Sequence, residues 1–216
     1  MNKSLTLNHR SQELANTLTH AAGIVLALVG VPLLLRWAVE RGAGWTQLLG
    51  LGIFGFALLA VYTSSTIYHL VPPGQWKHLM RRIDHIAIYF LIAGTHTPFL
   101  VYYLNNGTGL FYLGILWGMV ALGVLYKCFL FDRMEWLSVI FYLGMGWMAI
   151  FTLPPMTHVM SETCLWWVVA GGLFYTAGVL FYVWKRLPYH HAIWHMFGLG
   201  GSTAHFMAVW SIVVNG

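Results

Sequence analysis

Three histidines, an aspartate and a serine are the groups in this chain whose types and spacing fit a chemical site. His191 and His195 form an H-x-x-x-H pair, and His69 closes Ser65-Thr-Ile-Tyr-His69 more than 120 residues earlier, with Asp84 shortly after it. Residues at i and i+4 project from one face of a helix. Three imidazoles leave one tetrahedral position of a zinc ion open to water, and an ion held that way lowers the pKa of the water toward about 7. Asp84 would hydrogen-bond that water, as a general base or to orient it. Ser65 would donate to a developing oxyanion or position a carbonyl. Spacing alone leaves other roles open: Asp84 as a fourth ligand, a helix cap or a partner of Arg81, and Ser65 bonded to its own backbone.

The elements that must bring these groups together are membrane helices. Apolar residues make up 59% of the 216 residues, charged residues 8%, and 11 Trp and 11 Tyr are spread along the chain. Hydrophobic stretches of the length a helix needs to cross a bilayer fall at about 18–37, 47–69, 83–104, 110–130, 136–154, 164–184 and 192–214. The expected fold is therefore an all-α integral membrane protein, a seven-transmembrane helical bundle forming one domain over residues 1–216. Residues 1–17 are a short polar segment that does not read as a secretory signal, and Leu7 to Asn16 reads as a short interfacial helix.

The formal charge of +5 has a membrane explanation and gives no reason to expect nucleic acid. Cys128 and Cys164 lie near opposite ends of spans, which argues against a disulfide or a Cys metal site. Asn106-Gly-Thr108 matches a glycosylation sequon but reads as a turn.

Orientation follows from the basic residues. Lys3, Arg10, Lys77, Arg81, Arg82, Lys127, Arg133, Lys185 and Arg186 fall on one side, and of the 11 only Arg36 and Arg41 fall on the other. This predicts a cytoplasmic N-terminus and an outside C-terminus. It also places His69, Asp84, His191 and His195 at the cytoplasmic leaflet. Glu13, Asn16 and His20 share a helix face on that side, either as a water-facing surface or as a brace for the metal ligands. His96 and His205 lie roughly 15–18 Å deeper, too far in to be ligands, and suit a polar cavity, a proton path or an interhelical hydrogen bond. Gly50, Gly52 and Gly55, with Gly198, Gly200 and Gly201, suit the two ligand-bearing spans to close packing.

Four motifs together resemble the hemolysin III branch of the progestin and adiponectin receptor superfamily. They are Glu13-x-x-Asn16-x-x-x-His20, Ser65-x-x-x-His69, Arg81-Arg82-Ile-Asp84-His85 and Pro188-Tyr-His-His191-Ala-Ile-Trp-His195. The resemblance covers nearly the whole chain. It implies seven spans, zinc held by His69, His191 and His195, and Asp84 near the zinc-bound water. Its functional implications diverge among ceramidase-like hydrolysis, ligand reception, membrane homeostasis and haemolysis. The leading expectation is a zinc-dependent hydrolase of a lipid amide or ester in a bacterial inner membrane. The alternatives are a receptor-like or homeostatic protein with a structural zinc, and a pore former. Membrane lipids are the expected partners. The sequence names no protein partner.

Overall fold

A computed structural model describes residues 3–130 and 135–215, so Arg133 lies outside the described residues. The elements in chain order are α1 (Lys3–Glu40), α2 (Trp45–Leu70), α3 (Gln75–Tyr103), α4 (Gly107–Phe129), α5 (Glu135–Trp147), α6 (Ala149–Thr152), α7 (Glu162–Val183) and α8 (His190–Asn215). All regular structure among the described residues is helical. Six of these helices are long and apolar enough to cross a membrane. The stretch expected at 136–154 is a shorter apolar helix, Trp136–Thr152, broken between α5 and α6 at Met148. The chain is a multi-pass membrane protein.

No separate interfacial helix precedes the first span, because α1 runs unbroken from Lys3 to Glu40. The residues from Leu7 to His20 include no Gly or Pro that would break it. Asn16 and His20 are buried, so this face turns into the bundle and not to water. Burial against α2 and α8 gives the segment a reason to continue the helix.

The interior is built from α1, α2, α3 and α8, with Leu34, Leu51, Phe54, Leu100, Val209 and Ile212 among its fully buried side chains. α4 leans on α3, and α7 on α8. The glycines act through different neighbours than their spacing implied. A Cβ at Gly55 would sit 2.3 Å from Val31, and one at Gly201 would sit 3.0 Å from the Tyr175 ring. α2 thus closes on α1, and α8 on α7, whereas Gly52 and Gly198 meet nothing. α2 and α8 meet through the His69 and His195 imidazoles at one end and through the stacked Phe54 and Phe206 rings further along.

The turn expected at Asn106 is a helix start, where its side chain accepts from the backbone N–H groups of Thr108 and Gly109 to cap α4. Between α3, α5, α7 and α8 lies a cavity of about 680 Å³. Its walls are mostly apolar, including Ile88, Leu91, Phe99, Leu143, Leu165 and Val168. Asp84, His20 and His195 stand at one end of it.

Candidate metal centre

One end of the bundle collects the start of α1, the end of α2, the starts of α3 and α8 and the end of α4. A 3.6-residue repeat places His191 and His195 one turn apart on α8, with ring centroids 4.4 Å apart. His69, on the last turn of α2, meets both at centroid distances of 5.2 Å. One donor atom from each of the three lies within 4.8 Å of the others, close enough to hold a metal ion. Asp84 is not part of that cluster.

Helix α1 holds two of the three rings. Glu13 Oε2 is 2.8 Å from His69 Nδ1, and Lys77 Nζ holds the same carboxylate at 3.4 Å. A carboxylate accepts, so the His69 proton sits on Nδ1 and Nε2 keeps its lone pair. The Asn16 amide stands 3.4 Å from the same nitrogen. His20 Nε2 approaches His195 Nδ1 at 2.5 Å. Glu13, Asn16 and His20 therefore contact the His69 and His195 rings.

The donor set fits a metal cation on two grounds of its own. His69 Nε2 and His195 Nε2 face each other at 3.1 Å, a separation that sets two lone pairs in opposition unless a proton or a cation lies between them. His191 Nε2 is buried with no hydrogen-bond partner, a cost that a coordinated cation removes. Three imidazoles with carboxylate and imidazole partners behind them are a zinc-type ligand set.

Asp84, in the third turn of α3, is 4% exposed and forms part of the cavity wall. Its carboxylate stands beside the Ser65 hydroxyl and within the field of Arg81 and Lys127. Ser65 is fully buried, lies outside the cavity wall and makes no hydrogen bond of normal geometry. Its hydroxyl is directed at the Asp84 side chain.

The comparisons with known proteins give the family. A family profile described as "Haemolysin-III related" matches residues 8–206. The chain belongs to the haemolysin-III family. It is 39% identical over 198 residues to the "Hemolysin-3 homolog" of Bacillus subtilis (strain 168), covering 92% of each chain. It is 34% identical to "Hemolysin-3" of Bacillus cereus, covering 92% of this chain and 90% of that one. The human "Monocyte to macrophage differentiation factor" is 30% identical over 205 residues, covering 91% of this chain and 82% of its own.

Three residues of this haemolysin-III chain were invisible as site residues in the sequence. Lys77 and Lys127 registered only as loop charges, yet Lys77 grips Glu13 and Lys127 is 1% exposed beside Asp84. Tyr142 carried no signal. It donates to the His85 carbonyl at 2.8 Å and lines the cavity near Asp84. Lys127 and Tyr142 become neighbours of Asp84 only through the packing of α4 and α5 on α3.

Proposed function

We propose that this protein is a seven-span bacterial inner-membrane protein that binds zinc through His69, His191 and His195 and hydrolyses an amide or ester bond of a lipid. The observation that carries the reading is the three-histidine cluster and Asp84 standing at the polar end of a long apolar cavity. Cavities that are mostly apolar with a few convergent polar groups are the usual form of small-molecule sites.

The seven spans count the Trp136–Thr152 helix with the six longer ones. Lys77, Arg81, Arg82, Lys127, Lys185 and Arg186 share the end of the bundle that carries the histidines, and Arg36 and Arg41 share the other. That distribution supports a cytoplasmic N-terminus, an outside C-terminus and a site in the cytoplasmic leaflet.

When bound, zinc supplies a Lewis acid and a water of lowered pKa. The protein does the rest. The apolar walls hold the acyl chain and exclude water, leaving the scissile carbonyl at the end where Asp84 and His195 stand. Asp84 takes the proton from the attacking water on a carboxylate oxygen and returns it to the leaving group. Ser65 steers that carboxylate, and Glu13 and His20 keep the His69 and His195 rings in register. The test is turnover by zinc-loaded protein across a broad panel of lipid amides and esters. Asp84→Asn is expected to keep zinc and lose about a hundred- to ten-thousand-fold in rate. A zinc-loaded wild type that turns over no member of the panel sinks the proposal.

A second reading also has an observation behind it. The histidine cluster ties the end of α2 to the start of α8, as a structural zinc in a receptor-like or homeostatic protein would. Under that reading His69→Ala lowers thermal stability and metal content together, and there is no turnover to lose.

A further inference from the structure

The cavity has a second polar zone far from the histidine cluster. His96 on α3 and His205 on α8 both line it, and they are close enough for their charges to interact. They lie 12 residues beyond Asp84 and 10 beyond His195, roughly 15–18 Å along the helices.

His96 donates Nδ1–H to the Ile92 carbonyl at 3.0 Å. In a neutral imidazole with its proton there, Nε2 is an acceptor, and it is the nitrogen left for the cavity. The His205 ring stacks on Tyr175, with centroids 5.6 Å apart and planes at 21°. It occupies space that Gly171 leaves open, since a Cβ there would stand 2.6 Å from Nε2. Its Nδ1 is buried with no hydrogen-bond partner. Tyr175 and Ser202 bond each other at 2.7 Å, so these hydroxyls are already engaged.

A buried His205 nitrogen with no hydrogen-bond partner, in the same cavity zone as the His96 Nε2, is expensive at mid-membrane depth, and such residues mark function. His96 Nε2 can accept from a donor, and an imidazole N–H on His205 requires an acceptor. A hydroxyl is both, whereas a carbonyl or an ether only accepts and a methylene does neither. We propose that this zone is a subsite for a hydroxyl carried part-way along an acyl chain, which makes the ligand a hydroxylated single-chain lipid. The inference rests on the cavity being the lipid site of the proposed function.

The experiment is equilibrium binding of ricinoleate and oleate to the full-length protein in nanodiscs. The two chains differ by one mid-chain hydroxyl, and binding is read independently of turnover. Ricinoleate is expected to bind about tenfold tighter, the worth of one to two modest hydrogen bonds. His96→Phe and His205→Phe are each expected to abolish the preference and keep oleate affinity. Should either variant fail to fold, the wild-type comparison decides alone. Equal binding of the two chains by wild type overturns the subsite, because water then serves both rings. A preference that survives both variants overturns it as well. Binding of neither chain removes the subsite and the lipid reading together. A hydroxyl preference without turnover of any ester or amide leaves the subsite standing and removes only the hydrolase.

Discussion

At the scale of single residues, Glu13 does the most to turn three histidines into one centre. Its carboxylate, shared between His69 and Lys77, holds the His69 proton on Nδ1 and so aims Nε2 at the other ligands. Glu13→Gln keeps the shape and weakens the acceptor. Zinc affinity is expected to fall about 10–100-fold, read by competition with a chelator of known affinity. The double variant His191→Ala/His195→Ala removes two donors outright, and metal analysis should find it purified nearly free of zinc. Zinc content equal to wild type would show that these histidines hold no metal. The His191/His195 pair and the shared face of Glu13, Asn16 and His20 could be read from spacing, because i, i+3, i+4 and i+7 are geometry that a helix enforces locally. Lys77, Lys127 and Tyr142 could not, since each joins the site through a neighbouring helix.

Helices hold this site by what packs at their ends and along their small residues. Gly55 lets α2 rest on Val31 of α1, which keeps Glu13 and His20 over the ligand rings. Gly55→Leu is expected to destabilise the protein by about 1–3 kcal/mol through overpacking and to weaken zinc binding by displacing α1. Thermal melting and zinc titration of the same sample check both. Asn106→Ala removes the α4 cap at the far end of the bundle. It is expected to cost about 1 kcal/mol of stability with zinc affinity unchanged. The contrast between the two variants separates loss of packing around the metal from general loss of stability. The hydrophobic stretches anticipated most helix positions because a bilayer demands length and apolarity from every span. They missed the continuation of α1 and the break at Met148, which depend on what those segments pack against.

For the whole molecule, a metal bound only by the folded chain raises stability by mass action, about 2.7 kcal/mol at a free concentration 100-fold above Kd. Chelation of wild type should therefore lower Tm, and zinc should restore it. The His191→Ala/His195→Ala variant should melt at one temperature with or without zinc. A zinc-dependent shift that persists in that variant would place the stabilising ion elsewhere.

The sequence by itself determined the membrane class, the positions of most helices and the identities of the three histidines, because apolar length and helical period act within one segment. Its charge distribution assigned those histidines to a common side. Only the tertiary structure decided that Glu13 grips His69, that Ser65 stands beside Asp84, and that His96 and His205 line one mostly apolar cavity. These are relations between helices far apart in the chain. They are set by side-chain volumes at the contacts, and no periodicity within a single helix encodes them.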